Sequence, residues 1–185
     1  MYLKKKDSNE AYLAVGDTSG QVHLFHFLNP NRSLYNEALK PVKHALDLHL
    51  SSLADHADFI RYTPLGELHR DSVRSVQFIH ANKTVVSCSS ESHRSVVISD
   101  PEFVKKAYVF GLLKGCSCFD FNLELHLLVT ASYNSCIFLW NYYSPNKPVS
   151  VLRGHAATVI SLKIQPAINY LYSLSSDSVL KAWGK

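Results

Sequence analysis

The chain has 185 residues, of which 46% are hydrophobic and 18% are charged, a balance typical of one globular domain with a buried core. The net charge of +4 is too small to indicate nucleic-acid binding by itself. No apolar run approaches the roughly 20 residues of a membrane span, and the N-terminus lacks the apolar segment of a secretory signal. We therefore expect a cytoplasmic protein with no membrane partner.

In chain order, residues 1–10 have the composition of a polar tail and include the basic run Lys4–Lys6. The stretch YLAVGDTSGQVHLFHF, residues 12–27, alternates apolar and polar side chains around a glycine-containing turn. This pattern predicts two β-strands.

Residues 28–57 interrupt the strand pattern. Leu39, Val42, Leu46 and Leu53 follow the three-four spacing of a helix, and Pro41 suits a first helical turn. These residues predict a helical insertion with a helix over about 42–54. Its apolar face either pads the rest of the protein or docks a partner helix, and the sequence leaves both open.

The remaining chain repeats one plan three times, over residues 68–99, 113–140 and 152–183. Each unit has an apolar alternating run, a polar turn, a second apolar run ending in small hydroxyl residues, a tight turn and a third run. Ser99, Trp140 and Trp183 close the units at intervals of 41 and 43 residues, and Phe25 occupies the same place in the N-terminal copy. A period of about 40–45 residues with several short strands is typical of a β-propeller blade.

No motif indicates a metal, a cofactor or a catalytic site. The four cysteines lack the spacing of a zinc site and lie in apolar stretches, so they are expected to be buried thiols. His155, Ser173 and Asp177 have the composition of a hydrolase triad, but Ser173 is predicted to lie within a strand rather than on an exposed turn. No phosphate-binding glycine loop or EF-hand loop occurs.

The residues of the last unit resemble the WD-repeat family: Gly154–His155, then Ser173, Asp177 and Trp183. The resemblance implies that four side chains form a buried relay of hydrogen bonds, from Asp to His, His to Ser and Ser to the Trp indole. These are His155, Ser173, Asp177 and Trp183. The match is weaker upstream. Trp140 and Thr130 remain in the third unit, where Asn134 replaces the aspartate. The second unit retains His69 and Ser87 but has Glu91 and Ser99 in the aspartate and tryptophan places.

The implied fold is all-β, a partial β-propeller of about four WD-type blades with a short helical insertion. Residues 11–27 form a partial blade and residues 58–185 about three repeats. Two blades are expected to be incomplete: the first without its innermost strand, and the last without its outer strand. An open arc of this kind predicts a fragment of a longer parent chain, or half of a ring completed by another protomer.

Residues 58–185 further resemble the large two-propeller WD-repeat proteins associated with cilia and sperm flagella, with 12–27 as a looser match. The segment LWN followed by KPV and LRGH carries this resemblance. It implies a location in the cilium or flagellar axoneme within the cytoplasm.

The predicted function is that of a non-catalytic scaffold for protein–protein interaction. The resemblance places partner-binding candidates just before the acidic position of each turn, at Ser90, Tyr133 and Ser176, of which the aromatic Tyr133 is the strongest. The alternatives are a propeller-based enzyme and a nucleic-acid-binding propeller. An enzyme requires convergent carboxylates or histidines, and nucleic-acid binding requires clustered basic residues, but the arginines are dispersed through the chain.

Overall fold

The computed structural model describes the backbone of residues 2–4 and the whole of residues 10–28 and 49–184. Within these residues, fifteen antiparallel strands form four separate sheets. The expected all-β class with four repeated sheets is confirmed. No helix in the described part of the chain has the length and apolar character needed to cross a membrane.

The sheets follow one another in chain order, and the strands of each sheet are also in sequence order. Sheet 1 contains β1 (Tyr2–Lys4), β2 (Glu10–Gly16), β3 (Gln21–Leu28) and β4 (Ile60–Glu67). Sheet 2 contains β5 (Val73–Ile79), β6 (Thr84–Ser89), β7 (Val96–Ser99) and β8 (Tyr108–Phe110). Sheet 3 contains β9 (Cys116–Asn122), β10 (Leu127–Ser132), β11 (Ile137–Asn141) and β12 (Ser150–Leu152). Sheet 4 contains β13 (Val159–Gln165), β14 (Tyr170–Ser175) and β15 (Leu180–Trp183).

The register of each sheet places the repeat-closing residues at equivalent positions. Trp140 pairs with Leu128 and Trp183 with Leu171. Ser99 pairs with Val85 in sheet 2, and Phe25 pairs with Leu13 in sheet 1. The turns between second and third strands use short polar side chains: Asp17 Oδ1 accepts hydrogen bonds of 2.9 Å from the amides of Ser19 and Gln21.

Sheet 1 differs from its expected form. It has four strands, because β1 pairs antiparallel with β2. The segment expected to be a polar tail therefore supplies the innermost strand. Three residues are too few to show an alternating pattern, and their backbone pairing with β2 stabilises the strand instead. The first blade also extends past residue 27, because β4 pairs with β3.

The predicted insertion thus connects the third and fourth strands of sheet 1. Of the predicted helix over 42–54, residues 42–48 lie outside the described residues. The described part forms a 3₁₀ helix, Leu50–His56, rather than an α-helix. Its Leu53 is buried, whereas Leu50 is 53% exposed. The amide of Leu28 donates to the carbonyl of Phe59, which closes the base of the insertion.

Three apolar clusters hold the four sheets together, one at each seam between consecutive sheets. The seam of sheets 1 and 2 includes Tyr12, Leu24, Phe78 and Val97. The seam of sheets 2 and 3 includes Val86, Phe110, Phe119, Leu128 and Trp140. The seam of sheets 3 and 4 includes Val129, Ile137, Leu162 and Leu171. Sheets 2 and 3 are thus covered on both faces.

The four cysteines are free thiols, three buried and Cys118 partly buried. Burial raises the pKa of the Cys118 thiol to about 12, and that of Cys116 is raised as well. These thiols are protonated at neutral pH, which favours a packing role over a nucleophilic one.

Candidate functional site

In sheet 4, Ser173 lies at the centre of a buried hydrogen-bond chain. The indole Nε1–H of Trp183 donates to Ser173 Oγ over 2.8 Å, and His155 Nε2 lies 2.7 Å from the same oxygen. Because the hydroxyl accepts from the indole, its own hydrogen can be donated to Nε2. The structure therefore brings His155, Ser173 and Trp183 together within one hydrogen-bonded unit.

Asp177 does not complete this chain, which corrects the relay implied by the sequence. Its carboxylate accepts a hydrogen bond from the Ser175 hydroxyl instead. The Nδ1 of His155 is buried and has no hydrogen-bond partner among the described residues. The reason is local: Asp177 lies in a tight turn with Ser178 at φ +65°, and its short side chain reaches back to that turn. The Ser175 hydroxyl holds the pKa of Asp177 below its usual value.

Sheets 2 and 3 each retain one half of this arrangement. In sheet 2, His69 Nδ1–H donates to the Arg94 carbonyl over 2.6 Å, and Nε2 lies 2.8 Å from Ser87 Oγ. In sheet 3, the Trp140 indole donates to Thr130 Oγ1 over 2.9 Å. The four side chains in these two halves are buried, so their bonds satisfy polar atoms that water does not reach.

These buried chains are not arranged for catalysis. Ser173 lies within β14 and is 1% exposed, and its oxygen already contacts an indole and an imidazole. A nucleophilic serine must instead face the substrate. Across the described ranges, no group of three or more His, Cys, Asp or Glu side chains has a geometry that could hold a metal ion.

The partner-binding candidates Ser90, Tyr133 and Ser176 lie on equivalent turns, those that join the second and third strands of sheets 2, 3 and 4. We call the edge formed by these turns the turn edge. Tyr133 is 40% exposed. Ser90 Oγ instead donates to Asp71 Oδ2 over 2.6 Å, and the amide of Ser176 donates to Thr158 over 2.8 Å. Of the three, Tyr133 thus presents the largest side chain to solvent.

The sequence reasoning missed Asp120, a buried carboxylate that joins two sheets. It lies on β9 and is 6% exposed. Its Oδ2 accepts from the amide of Ile164 over 2.6 Å, and Lys163 Nζ donates to Oδ1 over 3.3 Å, both from β13. An aspartate within an apolar alternating strand is the signal that could have revealed it, because a buried charge requires partners.

Comparisons with known proteins agree with this architecture. Residues 146–184 match the family model described as WD domain, G-beta repeat. The chain is 27% identical, over 92% of its length, to a WD repeat-containing protein on Y chromosome from Anopheles gambiae, and covers 17% of that protein. The protein of the same name from Drosophila ananassae is 26% identical over 63% of the chain, which covers 11% of it.

A chain in the crystal structure of a mitotic checkpoint complex has the same fold, with a TM-score of 0.63 and 18% identity. The similarity covers 96% of the present chain and 44% of the other. The family match includes His155, Ser173 and Trp183, whose hydrogen bonds the structure shows, and all four sheets follow one repeating plan. Residues 146–184 therefore match one WD repeat, and the described sheets have the form of β-propeller blades.

Proposed function

We propose that the chain is a non-catalytic scaffold for protein–protein interaction and that its partner binds the turn edge. The observation that carries this proposal is the placement of equivalent turns of three consecutive sheets along one edge. Side chains on such turns have a fixed backbone beneath them and solvent above. Binding residues are disproportionately found on loops positioned by a rigid scaffold.

Tyr133 is the proposed centre of this surface. Its turn is fixed by backbone hydrogen bonds from Ser132 to Cys136 and from Ser135 to Ser132, and the Asn134 side chain accepts from the amide of Cys136 over 3.2 Å. An exposed tyrosine on a rigid turn buries a large area on binding with little loss of conformational entropy. Tyrosine is accordingly enriched among residues that dominate interface energies.

Affinity capture with quantitative mass spectrometry tests this proposal. The bait is the chain, and the compared variants are Tyr133→Ala and Tyr170→Ala. Tyr170 is a matched control, since it is 41% exposed but begins β14, at the end opposite the turn edge. We expect Tyr133→Ala to remove partners that Tyr170→Ala retains. A set of captured proteins that is the same for both variants contradicts the proposal, provided that both melt like the parent chain.

The proposal extends to the protein's assembly and location. The chain covers less than one fifth of the Anopheles relative, and one face of sheet 4 is exposed. Both observations support further blades as partners, from a longer parent chain or from a second protomer.

We further propose that the protein is located in the cytoplasm at the cilium or flagellar axoneme, because of the resemblance of residues 58–185. Imaging of the tagged full-length protein in ciliated cells tests this, and a signal that excludes the cilium contradicts it.

A further inference from the structure

A groove lies at each of the three seams, at the edge opposite the turn edge. Each groove is bordered by residues from the first turn of one sheet and from the region of the third strand of the preceding sheet. The groove of sheets 1 and 2 measures about 140 Å³. The groove of sheets 2 and 3, which we call the middle groove, measures about 370 Å³, and that of sheets 3 and 4 about 360 Å³.

Aromatic rings line one side of the middle groove. Tyr142 is buried, and its ring centre lies 4.1 Å from that of Tyr143, which is 55% exposed. The His126 ring lies 5.8 Å and 5.6 Å from these two rings, and Tyr108 meets Tyr143 edge-on at 6.1 Å. Burial raises the pKa of Tyr142, which is therefore neutral at physiological pH. The cluster thus offers a preformed aromatic surface on which the rings of Tyr143 and His126 are exposed.

Two lysines border the other side. Lys105 and Lys106 are exposed residues of the loop between β7 and β8, and neither forms an ion pair with a described residue. The Asp100 carboxylate fixes this loop by accepting from the amides of Glu102 over 3.0 Å and Lys105 over 3.2 Å. Asp100 also lines the groove and offsets one of the two positive charges. The lysines are thus presented from a loop with a defined backbone.

The seam between sheets 3 and 4 provides an internal comparison. Its groove has nearly the same volume, but its lining includes no charged side chain and is mostly leucine, isoleucine and proline with Tyr170 and Trp183. The packing of consecutive sheets therefore accounts for a groove of this size, but it does not account for the lysines of the middle groove. Two exposed lysines that form no ion pair within the described part of the chain, beside an exposed tyrosine, complement an acidic ligand.

We propose that the middle groove binds an extended peptide segment of a partner protein, in which an aromatic or large aliphatic side chain is flanked by aspartate or glutamate. The apolar side chain packs on Tyr143 and His126, and the flanking carboxylates pair with Lys105 and Lys106. Single-stranded RNA would also suit aromatic rings beside lysines. The peptide is favoured because only two lysines are present and Asp100 opposes one, whereas tracking a phosphate backbone requires an extended basic groove.

The inference goes beyond the proposed function, because it concerns the opposite edge of the sheets from Tyr133. The probe is a phage-displayed library of random heptapeptides selected on the chain. Clones are then screened against Lys105→Glu/Lys106→Glu and against Tyr143→Ala. A matched control is Arg70→Glu/Lys114→Glu, which changes the net charge equally through exposed residues near the turn edge.

We expect a class of clones enriched in Asp or Glu around an aromatic or aliphatic residue. Synthetic peptides of this class should bind about tenfold more weakly to the double lysine variant and to Tyr143→Ala. Their binding should weaken with added salt and be unchanged in the matched control and in Tyr133→Ala. Sensitivity to Tyr133→Ala instead would assign the peptides to the turn edge.

Three results overturn the proposal. The first is a selection with no clones, or with none that lose binding in the lysine variant. The second is a lysine-sensitive class that lacks acidic residues. The third is tighter binding of a fluorescein-labelled dodecamer of uridine than of any selected peptide, abolished by the same lysine variant, which would assign the groove to nucleic acid. Thermal melting of every variant verifies folding before binding is compared.

Discussion

At the scale of single residues, the buried Ser173 hydroxyl joins the side chains of His155 and Trp183 in sheet 4. Replacing it with alanine leaves the Trp183 indole N–H and the His155 Nε2 without partners. We expect Ser173→Ala to lower the free energy of unfolding by about 1–3 kcal/mol, the usual range for unsatisfied buried groups. Asp177→Ala is the control, because Asp177 is exposed and contacts Ser175 rather than His155.

Urea denaturation of both variants measures this difference. We expect the midpoint of Asp177→Ala to lie much closer to that of the parent chain than the midpoint of Ser173→Ala. A larger loss for Asp177→Ala than for Ser173→Ala would instead favour the full relay that the family resemblance implies.

His69 links stability to pH. The ring is fully buried, and burial lowers its pKa below the ordinary value near 6.5. Below pH 6.5, His69 takes up a proton in the unfolded chain but stays neutral in the folded chain. The contribution of His69 to the free energy of unfolding is therefore complete above pH 6.5 and decreases as the pH drops. His26 and His155 have lowered pKa values for the same main reason and act in the same direction.

We therefore expect the urea midpoint to decrease between pH 7.5 and pH 5.5, with a contribution from His69 of up to about 1.4 kcal/mol per pH unit. His69→Gln should make this decrease shallower without abolishing it. Asp71 and Asp177 have lowered pKa values and titrate below this window. The same slope in the variant and the parent chain would show that His69 is not the group responsible.

At the scale of elements, backbone geometry at the seams restricts certain positions to glycine. Gly115 precedes β9 with φ +68°, and a Cβ there would lie 2.0 Å from the carbonyl oxygen of Ser90 in the neighbouring sheet. Gly66 has φ +76° in β4, but a Cβ would meet no atom within 4 Å. Both positions would strain the backbone of a residue with a Cβ, but only at Gly115 would the Cβ also clash with a neighbouring atom.

We expect Gly66→Ala to cost about 1–2 kcal/mol, the penalty of a left-handed conformation for a residue with a Cβ. Gly115→Ala should cost clearly more, because the backbone of Ser90 must also move. Thermal melting compares the two variants. Equal losses would show that the seam can relax without cost, and that φ alone makes glycine necessary.

The sequence predicts those elements whose pattern is local. Strands β10 and β14 and their turns follow from alternation and turn residues, and the spacing of Trp140 and Trp183 gives the register. Strand β1 could not be predicted, because its strand conformation depends on backbone pairing with β2 and not on a pattern in its own three residues. The orientation of Asp177 could not be predicted, because its carboxylate has two alternative partners, the Ser175 hydroxyl and the His155 imidazole. The middle groove has no linear motif, since its residues come from two sheets between positions 82 and 143.

At the scale of the whole molecule, the four sheets form a series in which each seam buries one face of each neighbour. Strand β10 shows this directly: Leu128 belongs to the cluster shared with sheet 2, whereas Val129 and Ala131 belong to the cluster shared with sheet 4. In β14 the alternation is different, since Leu171, Ser173 and Ser175 are buried while the side chains between them are not. Sheet 4 thus has one covered face and one open face.

The open face of sheet 4 and its edge strand lead to a prediction about self-association. Leu180 lies on β15, where it pairs with Leu174 of β14, and it is 67% exposed. Among the described strands, β15 has no neighbour on its outer side. An apolar edge strand with free backbone groups pairs readily with another chain. We therefore expect the isolated chain to associate with itself at high concentration, as measured by gel filtration with light scattering.

Leu180→Lys should shift this equilibrium towards the monomer, because a charge on an edge strand opposes strand pairing. The matched control is Leu113→Lys, which adds the same charge at a residue that is 94% exposed but lies in the loop between β8 and β9. If the open edge of sheet 4 drives association, only the Leu180 variant becomes more monomeric at equal concentration. Equal behaviour of the two variants would attribute the effect to net charge, and a parent chain that stays monomeric throughout would show that the open face is protected.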